Sequence, residues 1–256
     1  MAAPFSVFLA LKYLRPKRTV FSVITVISTL GVILGVAVLV IVLAVMSGFD
    51  DMWREKILGF NAHVTVYAPT PVLETSELLA EAESVPGVTA VAPFIQMLGF
   101  VQHGDIVHTP MVRGIRPDLE AGISQVPGSM KEGSFDILDE QALMGVDLAK
   151  YLGVQVGDRI LVYSPQQFAR EDEFRLPVEL EVAGLYDVGM IDFDMGYVLC
   201  PMGPARELAG LREGVQGVQV MTRDPHRADE TADLLRKRLP PRYQVQPWMD
   251  QRRELF

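Results

Sequence analysis

From Val20 to Phe49 the chain carries no charged side chain, and Val20–Met46 is almost wholly apolar (VFSVITVISTLGVILGVAVLVIVLAVM). Apolar positions fall on every side rather than on one stripe, which predicts a helix crossing lipid, where every peptide group must pair within its own segment. At about 1.5 Å per residue the run reaches about 40 Å, more than the roughly 30 Å of a hydrocarbon core. Lys12, Arg15, Lys17 and Arg18 precede it and the first acid is Asp50. The positive-inside rule therefore puts residues 1–19 in the cytoplasm, the span at 20–46 and residues 47–256 on the far side. A cleaved signal peptide has an apolar core of about 7–15 residues and a small-x-small site. This run is about twice as long and Ala44-Val45-Met46 is a poor site, so an uncleaved anchor is expected. Gly31 and Gly35, with Ser28 one turn earlier, form a small-residue spacing that lets a second helix approach. Glycine is also common in membrane helices generally, so both readings of that spacing stand. Phe5, Phe8, Leu9, Leu11 and Tyr13 suit a short helix lying in the cytoplasmic interface, with a frayed tail as the alternative.

After the apolar run the periodicity shortens. His63-Val64-Thr65-Val66 alternates like a strand, a helical stretch with Leu78-Leu79 follows, and after Pro86 comes Val91-Ala92-Pro93. The order recurs near the other end as Val218-Gln219-Val220, Leu234-Leu235, Pro241 and Val245-Gln246-Pro247. Two strand–helix–strand units predict one sheet with helices on one face, a split βαβ arrangement over about 60–118 and 214–248. In the second helix Ala228, Ala232, Leu235 and Leu239 form an apolar face. Asp224 and Pro225 suit its start, and Arg236, Lys237 and Arg238 its negative end.

Between these units, about 123–212, a β-rich inserted subdomain is expected. Glu140–Leu152 reads as a helix ended by Gly153, Arg159–Tyr163 and Val178–Leu185 as strands, Asp192–Cys200 as a further strand and Pro201–Leu208 as a short helix. The connection Ser164–Pro177 (SPQQFAREDEFRLP) is too long for a tight hairpin turn. Its Pro165, Phe168, Arg170, Phe174, Arg175 and Pro177 are residues of the kind that anchor partners. The alternative is a surface loop whose phenylalanines tuck onto the domain.

Charge and composition narrow the functions. The 256 residues carry a formal net charge of −9. The first 49 residues hold four cations and no acid, leaving −13 on the remainder. An acidic domain is a poor ligand for nucleic acid, whose phosphates need Lys and Arg. The single cysteine, Cys200, excludes an intrachain disulfide, and it sits in an apolar stretch as a small buried hydrophobe would. Roughly 200 residues can bury a sufficient core without a crosslink.

Catalytic signatures are missing. There is no GxxxxGK[ST] for nucleotide, no HExxH and no GxSxG. His103 and His108 flank a Gly104-Asp105 turn, but two histidines fall short of a metal set. Asp192 and Asp194 cannot be singled out among many carboxylates. No catalytic residue, cofactor or metal is expected, and nothing supports an enzyme acting alone.

Two blocks and the chain's end resemble one family. FLALKYLRPKR with VISTLGVILGVAVLVIVLAVMSGFDDMWREKILGF is similar to the amino-terminal block of the LolC/LolE-type lipoprotein-releasing permeases, relatives of MacB and FtsX. LMGVDLAKYLGVQVGDRILVYSP resembles their Gly-Asp segment, and WMDQRRELF the approach to their second membrane helix. The resemblance, from about Phe8 to Phe256, implies a membrane-anchored α+β protein, one transmembrane helix followed by a periplasmic MacB-like core domain. It implies a permease subunit of an ABC-type complex in the bacterial inner membrane, paired with a second permease chain. ATP hydrolysis would lie in a separate cytoplasmic ABC ATPase. The complex would release lipoprotein cargo to a LolA-like periplasmic carrier. Family members carry three more membrane helices after this domain, and this sequence stops at Phe256 where the second would begin, as a truncated chain, a split gene or a fragment would. It assigns acyl contact to Val42, Val45, Met46 and Phe49, and carrier binding to the 164–177 connection, whose residues differ from the LolC hook. The alternatives are a single-pass anchored binding or scaffold protein, or a MacB/FtsX-type permease with another substrate.

Overall fold

In the computed structural model the described residues are 5–14, 23–73, 75–165 and 176–251. The chain divides into two units, Met1–Trp53 and Arg54–Phe256.

The first unit holds α1 (Phe5–Leu14) and most of α2 (Val23–Phe60). Within α2 the stretch Thr25–Phe49 has a mean hydropathy of 3.0 and none of it is buried. The helix does not stop where the apolar run ends at Met46. No proline follows, and after Asp50-Asp51 the sequence again offers an apolar pair one turn apart, Ile57 and Phe60, both buried in the second unit.

The second unit is built on strands β1 (Val64–Val72), β2 (Val88–Leu98), β3 (Phe100–His103), β4 (Ile106–His108), β5 (Met111–Ile115), β6 (Met130–Gly133), β7 (Gln141–Gly145), β8 (Arg159–Tyr163), β9 (Val178–Tyr186), β10 (Tyr197–Pro201), β11 (Val215–Thr222) and β12 (Gln244–Pro247). Its helices are α3 (Thr75–Glu83), α4 (Pro117–Glu120), α5 (Val146–Leu152), α6 (Ile191–Asp194), α7 (Met202–Leu208), α8 (Ala228–Arg238) and α9 (Trp248–Gln251). The strand order is β12-β1-β11-β2-β5-β10-β7-β9-β8-β3-β4, with β6 beside β9.

The first four strands are the split βαβ arrangement. β1 and β2 flank β11, and β11 and β12 flank β1, all antiparallel to their neighbours. The side-chain period of two sorts each strand. Val64, Val66, Val91, Val218, Val220 and Val245 face α3 and α8, where Leu78, Ala82, Ala228, Ala232 and Leu235 close a buried layer. Each such valine or leucine contributes roughly 1.5–3 kcal/mol by leaving water.

β2 joins this sheet to the next. Its residues from Val88 to Phe94 pair with β11, and Ile95–Leu98 pair with β5. The second sheet therefore starts before residue 100 and takes in β3–β5, earlier than the 123–212 division suggested. Its core packs β-strand residues such as Val112, Met144, Val182 and Val198 against Leu148, Leu152 and Leu208 of α5 and α7.

Three local readings are corrected. Glu140–Leu152 is not one helix: β7 occupies Gln141–Gly145 and only Val146–Leu152 is helical. Ala142-Leu143-Met144 is a short apolar run buried between β10 and β9, and periodicity does not separate such a strand from a buried helix turn. Asp192–Cys200 is not one strand, because α6 takes Ile191–Asp194 and the strand starts at Tyr197. There the Asp194 carboxylate accepts hydrogen bonds from the Val188 and Met190 backbone N–H groups at 2.9 and 3.0 Å and folds the segment back. Finally, Asp224 accepts from His226 N over a 3₁₀ turn at Pro225–Arg227, and α8 itself starts at Ala228.

Candidate functional site

No constellation of nucleophile, base and oxyanion donors stands out among the described residues, and the functional surface lies on α2 and around its last turns within the second unit. On α2 the residues singled out from sequence share one side. At about 100° per residue, Ser28, Gly31, Gly35, Val42, Val45, Met46 and Phe49 fall within an arc of roughly 100°. All seven are exposed. Nothing lies within 4 Å of a Cβ placed on Gly31 or Gly35. The stripe thus has a small-residue half and, toward its far end, a bulky apolar half. Small residues let backbones approach closely in lipid. Met beside Phe offers a flexible, polarisable surface that adapts to irregular apolar partners such as alkyl chains.

Of the 164–177 connection, Pro165 and Pro177 are described. Phe168, Arg170, Phe174 and Arg175 lie outside the described residues. His103 and His108 end β3 and β4 without converging on a third ligand: His103 Nδ1 lies 3.1 Å from Leu152 O, and His108 packs edge-on against Tyr151.

Sequence reasoning missed how the end of α2 is held. Arg113 of β5 is 1 % exposed. It donates to Phe60 O at 3.3 Å and to Glu120 Oε1 at 2.7 Å, and Ser124 Oγ donates to the same carboxylate oxygen at 2.7 Å. Its guanidinium lies over the Phe60 ring, 4.8 Å from the centroid, while that ring stacks on Phe193 at 4.2 Å. A cation at the last carbonyls complements the negative end of a helix. Lys56 adds two further bonds, donating to Val188 O at 3.1 Å and Gly189 O at 2.7 Å. Gln125 N donates to Gly59 O at 2.8 Å, and a Cβ at Gly59 would meet the Gln125 side-chain amide. The carbonyls ending α2 therefore find partners in the second unit rather than in water. Arg113 in MVRGIRPD reads as a surface residue, and no local signal marks it as a member of a buried ion pair.

The sequence comparisons now bear on this geometry. Residues 25–238 match the family model of the MacB-like periplasmic core domain. The chain belongs to that family. Among curated relatives, the lipoprotein-releasing system transmembrane protein LolC of Xylella fastidiosa is 35% identical over 263 residues, covering 100% of this chain and 63% of that protein. The corresponding LolE of Haemophilus influenzae is 25% identical over 241 residues, covering 89% of this chain and 57% of that protein. The chain thus spans less than two thirds of these relatives' length. Among solved structures, the periplasmic region of MacB from Actinobacillus actinomycetemcomitans aligns with a TM-score of 0.48 and 12% identity over 77% of this chain and 94% of that one. The similarity to this MacB-like family runs through both units, including the α2 stripe.

Proposed function

We propose that this chain acts as a permease subunit of an ABC-type complex that releases lipoproteins from the inner membrane to a periplasmic carrier. The carrying observation is a helix apolar and exposed on all sides, directly followed by a MacB-like periplasmic core domain, with both parts similar to LolC over the whole chain. Its N-terminus faces the cytoplasm on this reading, because Lys12, Arg15, Lys17 and Arg18 precede the span and no acid does. Val42, Val45, Met46 and Phe49 contact the acyl chains of the cargo. Ser28, Gly31 and Gly35 face the second permease chain. The 164–177 connection, with its Phe and Arg residues, engages a LolA-like carrier. A separate cytoplasmic ATPase supplies the energy, since no phosphate-binding loop occurs in this sequence.

The test is ATP-driven release of a lipidated substrate from vesicles holding the complex that contains this chain. Met46→Asp with Phe49→Asp places two carboxylates on the acyl-facing stripe and is expected to abolish release while the complex still assembles. Unchanged release discards the acyl contact. Crosslinks from the carrier are expected at 164–177, and crosslinks confined to other segments remove the loop from the proposal.

A further inference from the structure

The two faces of the β12-β1-β11-β2 sheet differ in a way the release reading does not use. The face away from α3 and α8 carries a cavity of about 210 Å³ beside the last residues of α2. Asn61, Thr65, Tyr67, Gln96, Tyr197 and Gln219 supply its polar lining. Thr65 and Gln219 are register partners on β1 and β11, and they are 5 % and 6 % exposed. Among the described residues neither side chain has a protein hydrogen-bond partner, and the one sealed, unpartnered side-chain N or O is Arg113 Nε. The polar atoms of Thr65 and Gln219 therefore open onto the cavity. Water reaches these atoms, so an occupant that displaces it must replace the hydrogen bonds it made.

The lining also limits the occupant's chemistry. Among the described residues no charged side chain lines the cavity, and an ion entering it would lose hydration without a counter-charge from them. Burial raises the Tyr67 pKa above its ordinary value, which keeps its hydroxyl a donor. Tyr67 and Phe94 meet edge to face at 5.5 Å and give one side an apolar wall. Asn61, Gln96 and Gln219 each present a carbonyl and an NH₂ group, the combination that pairs two-fold with another amide. The volume corresponds to about seven waters, which sets the occupant's size.

We propose that this cavity binds a small neutral carboxamide, either a free amide or a peptide-type amide group, through Gln219 and Thr65. The proposal does not depend on lipoprotein release. The full chain in detergent, with Asn and Gln side-chain amides labelled by ¹⁵N, is titrated separately with acetamide, N-acetylglycine N-methylamide, glycerol and acetate. Saturable shifts of the Gln96 and Gln219 NH₂ signals with the amides are expected. A stronger response to the peptide-type probe assigns a peptide source, and a stronger response to acetamide assigns a free amide. Gln219→Leu is expected to weaken the response about tenfold, the loss of one buried amide pairing, and Thr65→Val to weaken it less. Resistance of Cys200 to alkylation reports that each variant is folded, because burial pushes that thiol up to about 12. No saturable shift overturns the proposal, as does an equal response to glycerol or acetate, or a Gln219→Leu titration matching that of the unaltered chain.

Discussion

Thr25–Phe49 of α2 and the valine-bearing strands β1, β11 and β2 use the same kinds of side chain in opposite ways. The strands pack their valines against the helices on one face, and on the other they carry residues such as Thr65 and Gln219. The helix presents valine, leucine and isoleucine on every side, and none of that stretch is buried. Water tolerates the first arrangement because the apolar half is covered. It would penalise the second at every turn, so the difference assigns each region its solvent. The strands have a core to face, whereas the helix needs lipid or another apolar helix around it.

The largest effect should come from giving the helix a polar face. Val36→Arg, Leu39→Arg and Leu43→Arg lie on one side at three- and four-residue spacing. At about 2.5–3.5 kcal/mol each, together they cost about 8–10 kcal/mol of membrane insertion. Alkaline extraction of membranes should move the triple variant into the soluble fraction. Retention in the pellet would show that α2 does not depend on a hydrocarbon surround.

Next in size is the ion pair that holds the helix end, a buried charge pair inside the water-solvated unit. Arg113→Met leaves Glu120 charged, buried and without its cation, and truncating one partner of a buried pair costs about 3–5 kcal/mol. Adding Glu120→Gln to Arg113→Met should restore part of that loss, because the remaining carboxamide carries no charge. Denaturant unfolding of Arg113→Met, Glu120→Gln and the double variant measures the coupling. A double variant no more stable than Arg113→Met alone would mean the charge of Glu120 is not what the arginine compensates.

A smaller effect is expected on the small-residue half of the α2 stripe. Gly31→Leu and Gly35→Leu meet nothing within 4 Å, so the helix itself accepts them. Any consequence must come from a neighbouring helix, at about 1–2 kcal/mol of lost association. Crosslinking yield between copies, or with the proposed second permease chain, reads it directly. An unaltered yield would leave these glycines as ordinary membrane-helix residues.

This contrast also explains what could be read in advance. The apolar run, the two strand–helix–strand units and the alternation at Val64–Val66 and Val218–Val220 are local patterns, and the split βαβ sheet follows from them. The partnership of Arg113 with Phe60 joins residues 53 positions apart, and no local pattern encodes it. Thr65 and Gln219 look like solvent-facing positions of half-buried strands. They are nonetheless 5 % and 6 % exposed, because long-range packing rather than local pattern decides which side of a strand is covered. On α2, spacing brings Ser28, Gly31 and Gly35 together, whereas Val42, Val45, Met46 and Phe49 were singled out only through the resemblance to the permeases, and what either group touches in a complex lies outside one chain's periodicity.

The smallest expected effect concerns His63, which marks the start of β1 from the buried side. Its Nδ1 lies 3.0 Å from Thr222 N, which can donate to it, and 3.1 Å from Thr222 O, which can accept from it. Burial lowers its pKa below 6.5, outweighing the Thr222 carbonyl and Asp224, which favour the charged form. The unfolded chain therefore binds this proton at a higher pH than the folded one, and stability must fall as pH drops through the window beginning near 6.5. Above that window the residue contributes no pH dependence, since both states hold it neutral. His63→Gln keeps an acceptor for Thr222 N and has no proton to take up, so its Tm should decline less on acidification than that of the unaltered chain. The many carboxylates titrate alike in both proteins and cancel in the difference. Parallel Tm–pH curves would place the acid sensitivity of this unit elsewhere and leave the buried face of the sheet indifferent to protonation.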